Sequence, residues 1–299
     1  MRKHDAVVVG GNGAVGSLLC QALAHDGYSV LATDVSERTS PSSPEGVEHE
    51  VADILNPSAR LIQAVADARL VVLAVPEHIA LGTDLSLFDR VALVVETLSV
   101  KSAFAAAVEA SGRAHAVLGI NPMFAPALGF DGRPVACVRH RPGVAAEDFV
   151  ARITAWGGRV VDVDSDMHDR AAAATQALTH ASVLAFGSAL GSLGLDPSLV
   201  DAIAPPPART SLALLARIAG GEPEVYWDVQ AGNPYAHQAR MALVEAASRR
   251  DAAVGGGTGE EFGAVVERAG AAVPDGESYR RLCADLFGIV RDQGPEGNR

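Results

Sequence analysis

A short apolar strand, a glycine-rich turn and a helix open the chain, and this feature limits the possible folds more than any other. The run Val7–Gly10 leads directly into Gly11-Asn12-Gly13-Ala14-Val15-Gly16, which fits the pattern GxGxxG. We expect Gly11 to permit a tight turn, Gly13 to let the backbone approach a pyrophosphate, and Gly16 to let helix and strand pack closely. The sequence therefore predicts a dinucleotide site whose first contacts are Gly11, Asn12, Gly13, Ala14, Val15 and Gly16.

The second strand of this unit ends at Asp34, where an acidic side chain can bind both ribose hydroxyls of a dinucleotide. Its charge would repel a 2′-phosphate, so NAD is favoured over NADP, although Arg38 close by could admit that phosphate. The segments Leu73-Ala74-Val75-Pro76 and Glu96-Thr97 end later strands at the carboxyl edge, where doubly wound sheets bind ligands. We expect both segments to lie near the nicotinamide, with Val75, Pro76 and Thr97 lining it.

Strand-like and helical segments alternate up to Asp164, and only helical segments follow. The strands are nearly continuous apolar runs, which is typical of a parallel sheet covered on both faces. The predicted strands are Ala6–Gly10, Tyr28–Asp34, Leu70–Val75, Ala92–Glu96, Ala116–Ile120, Val135–Arg139 and Arg159–Val163. The predicted helices include Ala14–His25, Pro57–Ala66, Ser102–Ala110, Ala146–Trp156 and a long helix rich in small residues at Ala171–Gly194. The sequence therefore predicts a Rossmann-type α/β doubly wound parallel sheet over residues 1–165. An all-α helical domain, suited to substrate binding and dimerisation, is predicted over residues 166–299.

Composition excludes several classes of partner. The net charge of −12 argues against nucleic acid. The longest apolar runs are much shorter than the roughly 20 residues of a membrane span, and no secretory signal is visible. The three cysteines (Cys20, Cys137 and Cys283) share no metal-binding spacing and predict reduced core thiols. We therefore expect a cytoplasmic protein with no metal, no membrane association and a small-molecule substrate.

Four segments together resemble the prephenate and arogenate dehydrogenase family. They are the glycine turn, Leu98-Ser99-Val100-Lys101, the turn Asn121-Pro122-Met123-Phe124, and Met167-His168-Asp169 followed by Gln176-Ala177-Leu178-Thr179-His180. The resemblance covers roughly residues 5 to 235 in order and spacing. It implies NAD-dependent oxidative decarboxylation of a cyclohexadiene dicarboxylate, a helical dimerisation domain that makes a homodimer, and an active site in the cleft between the domains.

The same resemblance implies roles for individual residues. Ser99 would orient the group at C4 of the substrate, while His180 and Arg209 would hold its polar and carboxylate ends, since an arginine fork suits a carboxylate. Gln176 and Met123 are further candidates for substrate binding. Structural alternatives stay open for several of these residues. Ser99 could cap a helix beginning at the next residue, His180 could be a core histidine, and Arg209 could be a surface helix residue.

Asn121 occupies the position at which the resembled family has its histidine base. Asparagine does not titrate and cannot act as a general base, so it is either an ordinary residue of a turn before proline or a sign of different chemistry. Hydride loss from an alcohol leaves a protonated carbonyl that needs a base. An amine has a lone pair able to expel the hydride and form an iminium. We therefore expect Asn121 to be catalytic, accepting a hydrogen bond from the amine of 4-amino-4-deoxyprephenate, which becomes 4-aminophenylpyruvate.

Two other functions fit the same sequence. The chain could be a prephenate or arogenate dehydrogenase of tyrosine biosynthesis that uses water or another residue as the base. It could also be an NAD(H)-binding sensor that has lost catalysis, although the presence of Ser99, His180 and Arg209 disfavours a sensor.

Overall fold

The computed structural model describes residues 4–38, 44–221 and 223–291. It divides into two compact units, residues 1–172 and residues 173–299. The first unit is built on one eight-stranded sheet with the strand order β3-β2-β1-β4-β5-β6-β7-β8. The strands are β1 (Ala6–Val9), β2 (Val30–Asp34), β3 (Val47–Val51), β4 (Leu70–Leu73), β5 (Leu93–Glu96), β6 (Ala116–Pro122), β7 (Pro134–Arg141) and β8 (Arg159–Asp162).

The strand order reverses between β1 and β4, which are parallel neighbours. In an open α/β sheet the carboxyl ends of such a pair form the crevice in which ligands bind. The glycine turn follows β1, and the segment Ala74–Pro76 follows β4. The predicted doubly wound α/β fold is confirmed, and the glycine turn, Val75 and Pro76 lie at this crevice.

Two features of the sheet differ from the sequence-based expectation. The pair β6 and β7 is antiparallel, so the sheet is mostly and not wholly parallel. Apolar runs of this kind do not reveal strand direction. The edge strand β3 was not predicted, because its sequence Val-Glu-His-Glu-Val is only partly buried and lacks a continuous apolar run.

Helices cover both faces of the sheet. Alternate residues of β1 point to opposite faces, so that Ala6 and Val8 belong to one apolar core and Val7 and Val9 to the other. The helices of this unit are α1 (Ala14–His25), α2 (Ala59–Asp67), α3 (Glu77–Gly82), α4 (Ser102–Ala110), α5 (Val144–Ala155) and α6 (Ser165–Ala172). α1 and α5 contribute to the first core, and α2 and α4 to the second.

The second unit is helical in its described part, as predicted. A π-helical turn at Ala173–Ala177 precedes α7. The helices are α7 (Leu178–Ser192), α8 (Pro197–Ile203), α9 (Pro206–Ala219), α10 (Pro223–Trp227), α11 (Ala236–Gly255), α12 (Gly259–Gly270) and α13 (Gly276–Arg291). A second π-helical turn, Asp228–Gly232, follows α10. The single helix expected from Ala171 to Gly194 is therefore interrupted, and Gln176 lies in the interruption.

Small residues bring two of these helices close together. A Cβ added at Gly187 of α7 would lie 2.7 Å from the side chain of Leu215 in α9. At Gly187, the small residues of α7 therefore allow close helix packing inside the unit. Many large apolar side chains of the same unit remain exposed, among them Leu199, Ile203, Val254 and Ile289.

Cys20 and Cys137 are buried, and burial raises the pKa of each thiol to about 12. Cys283 is exposed on α13, so the prediction that all three cysteines are core thiols was wrong. An apolar sequence context around a cysteine does not show whether other side chains cover it in the folded protein.

The described segments contain no single helix that is both long and apolar enough to cross a bilayer, although the bent pair 165–192 and 197–203 together meets the same criterion.

Candidate active site

The turn after β1 has almost no room for side chains. Gly10 has a left-handed backbone with φ of 80°, and a Cβ there would lie 2.1 Å from the carbonyl oxygen of Ala74. Gly11 has an ordinary backbone, but its Cβ would lie 2.7 Å from the Cβ of Ala32. Gly10 therefore provides the tight turn that the sequence pattern assigned to Gly11. Gly11 is needed instead for close packing against β2.

The beginning of α1 is arranged to receive an anion. Its N-cap is Gly13, whose side-chain position carries no capping group, and the first turn contains no acidic residue. A Cβ at Gly13 would meet only the carbonyl oxygen of Gly10, at 3.3 Å. Because the first amides of a helix carry a partial positive charge and lack partners within the helix, this end fits a pyrophosphate. Ala14 and Val15 are the first residues of that turn.

Gly16 has a different role from Gly13. A Cβ at Gly16 would lie 2.1 Å from the carbonyl oxygen of Gly10 and 3.0 Å from the Cα of Gly11. Close approach of α1 to the turn therefore requires glycine here, as the sequence pattern predicts.

The carboxylate of Asp34 lies at the end of β2 and holds the glycine turn. It accepts hydrogen bonds from the backbone amide of Asn12 at 3.2 Å and from the amide and hydroxyl of Ser36 at 3.1 and 2.9 Å. The Asn12 side chain donates to the carbonyl of Ser36 at 2.8 Å. Arg38 contacts His49 on β3 beside this loop. The position of Asp34 suits a ribose contact, which stays a prediction.

The three residues expected near the nicotinamide lie at the carboxyl edge of the sheet. A Cβ at Gly10 would come within 3.1 Å of Cγ1 of Val75, so Val75 lies beside the turn. Pro76 is the N-cap of α3, and the amide of Thr97 donates to the carbonyl of Leu73 at 3.1 Å. All three side chains are half-buried.

Beneath this edge lies a fully buried ionic cluster of Glu96, Lys101 and His140. Lys101 Nζ donates to Glu96 Oε2 at 2.8 Å and to the carbonyl of Ile120 at 2.9 Å. His140 Nε2 lies 2.8 Å from Glu96 Oε1. Glu96 and Lys101 have no exposed surface. The cluster therefore joins the ends of β5, β6 and β7 to the start of α4.

The cluster depends on one glycine and favours the ionised form of Glu96. A Cβ at Gly119 would lie 2.2 Å from Glu96 Oε1 and 2.7 Å from His140 Nε2. Burial raises the pKa of Glu96, but Lys101 and His140 outweigh it and hold that pKa below its ordinary value. Burial also lowers the pKa of Lys101. Glu96 was expected to lie near the nicotinamide, at the end of its strand. No sequence pattern predicted its buried pairing with Lys101 and His140.

Asn121 is a strand residue and not a turn residue. It lies in β6 opposite Ala136 of β7 and is 5% exposed. The expectation of a turn here was wrong, because β6 continues through Pro122 and ends just before Met123. Met123 is half-buried, and its amide donates to the carbonyl of Pro134. Asn121 Nδ2 lies 3.1 Å from Nε2 of His168, the one side-chain hydrogen bond of Asn121 within the described part of the chain.

His168 and Asp169 lie buried on α6 and connect Asn121 to the start of α4. His168 Nδ1 lies 2.9 Å from Asp169 Oδ1. The Asp169 carboxylate accepts from the amides of Lys101 and Ser102 at 2.8 and 2.9 Å, and from the Ser102 hydroxyl. Asp169 thus caps α4 from another helix. The helix begins at Ser102, so the alternative in which Ser99 caps a helix starting at Val100 was wrong.

The sequence motifs contain His168, Asp169 and Lys101, but the contacts between these residues were not predicted. Two features of the sequence could have pointed to these contacts. One is a lysine shortly after the end of an apolar strand, and the other is a His-Asp pair on an otherwise polar helix. Neither reveals a partner 68 residues away. No group of three or more His, Cys, Asp or Glu residues in the described ranges could hold a metal ion.

In the second unit, His180 lies on α7 with its ring edge against Tyr226, at 5.0 Å between ring centroids. Burial, and then Arg217, lower the pKa of His180. The guanidinium of Arg209 on α9 donates to the carbonyls of Asp201 and Ala204 at the end of α8, at 3.0 and 3.3 Å.

Comparison with known proteins agrees with this arrangement. Residues 6–81 match the NAD dependent epimerase/dehydratase family. The chain is 42% identical to a 4-amino-4-deoxyprephenate dehydrogenase of Streptomyces pristinaespiralis, over 94% of this chain and 95% of that protein. The first unit is therefore an NAD-binding domain, and NAD is the cofactor.

Two solved structures share the fold. A putative prephenate dehydrogenase of Corynebacterium glutamicum has a TM-score of 0.67 and 20% identity, covering 95% of this chain and 97% of that one. The prephenate dehydrogenase of Aquifex aeolicus, in complex with hydroxyphenyl propionate and NAD⁺, has a TM-score of 0.65 and 17% identity. It covers 88% of this chain and 95% of that one.

Proposed function

Because the chain belongs to the prephenate dehydrogenase family of NAD-dependent dehydrogenases, we propose that it converts 4-amino-4-deoxyprephenate to 4-aminophenylpyruvate and CO₂. A relative with this substrate in its name matches almost the whole length of both chains. The observation that carries the proposal is Asn121, a buried amide that cannot take up a proton, at the position of the family's histidine base.

The electron flow suits a nitrogen substituent at C4. As hydride leaves C4, the lone pair of a neutral amine moves toward the carbon and an iminium forms. The bond from C1 to the ring carboxylate then breaks as CO₂ departs, and its electron pair enters the ring and returns the lone pair to nitrogen. The product is an aromatic amine, and no proton leaves nitrogen on the way. Bound NAD⁺ supplies the hydride acceptor.

An alcohol follows the same path with the same overall proton balance, so donor strength makes the difference. Oxygen is a weaker donor than nitrogen, and the protonated carbonyl that it forms is a strong acid. A base that takes part of that proton during hydride loss stabilises the transition state, and losing it typically costs about 10²–10⁴-fold. An amine does not need this help, so an amide acceptor is sufficient.

The amine must nevertheless be neutral when hydride leaves, because an ammonium group has no lone pair to donate. One proton is therefore released to solvent before the chemical step. The amide oxygen of Asn121 then accepts a hydrogen bond from an N–H of the neutral amine. This orientation leaves the lone pair of the amine nitrogen free to donate its electrons to C4.

We assign the remaining predicted residues to this substrate. Ser99 orients the amine, and His180 contributes to catalysis by holding a polar group of the substrate. Arg209 binds a carboxylate, and its hydrogen bonds to the carbonyls of Ala204 and Asp201 at the end of α8 support this role by limiting the orientation of the guanidinium. Gln176 and Met123 contact the rest of the substrate.

We further propose that the enzyme acts as a homodimer in the cytoplasm. The exposed apolar side chains on the helices of the second unit support a dimer, because a monomer would leave them in water. Free cysteines in both units suit a reducing compartment. Light scattering after size-exclusion chromatography tests the dimer by its mass.

Product identification tests the proposed reaction. Purified protein, NAD⁺ and 4-amino-4-deoxyprephenate should yield NADH, CO₂ and 4-aminophenylpyruvate in equal amounts, measured by absorbance and mass spectrometry. NADH formation without CO₂, or no NADH at all, would overturn the proposal.

A further inference from the structure

We infer that His168 is a positioning residue, which fixes the Asn121 amide with its oxygen available to the substrate amine. The inference rests on the proposed function and adds to it a residue that does not touch the substrate. Asn121 and His168 are 5% and 2% exposed, so their contact lies out of water. The 3.1 Å distance from Asn121 Nδ2 to His168 Nε2 is the contact that orients the amide.

Hydrogen-bond chemistry determines which end of the amide faces His168. An ionised carboxylate only accepts, so His168 Nδ1, 2.9 Å from Asp169 Oδ1, carries the proton of the neutral ring. His168 Nε2 is then an acceptor, and the group facing it must be a donor. The amide nitrogen of Asn121 is that donor, which leaves its oxygen on the other side.

Asp169 is held in the acceptor state by its surroundings. Burial raises the pKa of this carboxyl, but hydrogen bonds from His168 and Ser102 and from the Lys101 amide outweigh it and keep the pKa below its ordinary value. The start of α4 therefore sets the charge of Asp169, Asp169 sets the tautomer of His168, and His168 sets the direction of the Asn121 amide.

The direction of the amide decides whether hydride can leave. An amide oxygen accepts from the substrate's N–H and leaves the nitrogen lone pair on the reacting side. A reversed amide would donate an N–H to that lone pair and so withdraw the electrons that expel the hydride. A reversed amide therefore lowers kcat while substrate can still bind.

The test compares His168→Gln with His168→Leu, and uses His115→Leu as a matched control at a half-buried histidine outside this contact. In His168→Gln the new amide can donate to Asp169 and accept from Asn121. The readouts are kcat and KM for the amino substrate, NAD⁺ binding and thermal unfolding. The last two show whether each variant is folded.

We expect His168→Leu to lose at least about 100-fold in kcat with a much smaller change in KM, a loss comparable to that of a directly acting group. His168→Gln should keep kcat within about tenfold, because its amide can restore both hydrogen bonds of the native ring. His115→Leu should match the native enzyme.

The inference is wrong if folded His168→Leu keeps native kcat, or if folded His168→Gln loses as much kcat as His168→Leu. Native enzyme that prefers prephenate would instead contradict the proposed function, whatever the variants do.

Discussion

Lys101 donates a hydrogen bond at 2.9 Å to the carbonyl oxygen of Ile120, the residue directly before Asn121. The ammonium group that makes this bond has no exposed surface and is also paired with Glu96. A buried charge thus fixes the backbone that presents the Asn121 amide. The strand end that carries Asn121 is therefore tied directly to the fully buried Lys101–Glu96 pair.

Replacing Lys101 by methionine should destabilise the protein strongly. The change leaves Glu96 charged and buried with only His140 and the Leu98 amide as partners, and breaking a buried pair in this way costs about 3–5 kcal/mol. Urea unfolding measures the loss. The double variant Lys101→Met with Glu96→Gln should recover part of it, because the orphaned charge is gone. A single variant as stable as the native protein would contradict the structural role assigned to Lys101.

Two glycines of the turn should respond differently to alanine. Gly13→Ala adds a methyl group that meets only the Gly10 carbonyl at 3.3 Å, so we expect little change in melting temperature and at least about tenfold weaker NAD⁺ binding. Gly16→Ala puts its methyl group 2.1 Å from that carbonyl, so we expect lower stability. Fluorescence titration and thermal melts measure both. Equal NAD⁺ affinity in Gly13→Ala would show that the cofactor lies elsewhere.

Asp169 should make stability depend on pH in the acid range. Burial raises the pKa of this carboxyl, but its hydrogen bonds hold that pKa below the ordinary value of about 3.9. Its contribution is therefore present above the unfolded-state pKa, and it is lost as pH falls through the lower folded-state pKa. Asp169→Asn should be less stable at neutral pH and should lose less as pH falls below about 4. Urea midpoints across this range would contradict the account if both proteins lost stability in parallel.

Asn121→His should shift the enzyme toward the alcohol. Histidine restores a base, so turnover of prephenate should rise, by up to about 10²–10⁴-fold if the proton is accepted well. Turnover of the amino substrate should fall, since the acceptor oxygen is lost. Asn121→Ala is the matched control, because it removes the oxygen without adding a base. Equal prephenate rates in the two variants would show that the new imidazole does not act as a base.

Local sequence patterns predicted much of the fold. The glycine turn and α1 follow from one strand-turn-helix segment, and α1 and α4 were predicted at their observed limits. The polar edge strand β3 and the direction of β7 were not predicted, because local pattern gives neither edge pairing nor strand polarity. Continuation of β6 through Pro122 was missed because proline favours turns.

The proposed chemistry of the site was predicted from single residues. The buried contacts that hold those residues in place were not predicted. Asn121 was identified as the departure from the family pattern. The contact of Lys101 with Asp169 joins residues 68 positions apart, and only the folded sheet brings them together. The same holds for His140 and Glu96, which are 44 positions apart. Long-range buried polar contacts of this kind leave no periodicity in a sequence.

The ratio of kcat/KM for 4-amino-4-deoxyprephenate to that for prephenate tests the central claim most directly. Both substrates should be measured with one preparation of the native enzyme, at saturating NAD⁺ and one pH. The account predicts a ratio of at least about 100, the lower end of what a missing base costs an alcohol. A ratio below one would contradict it, because Asn121 would then be serving an oxygen donor.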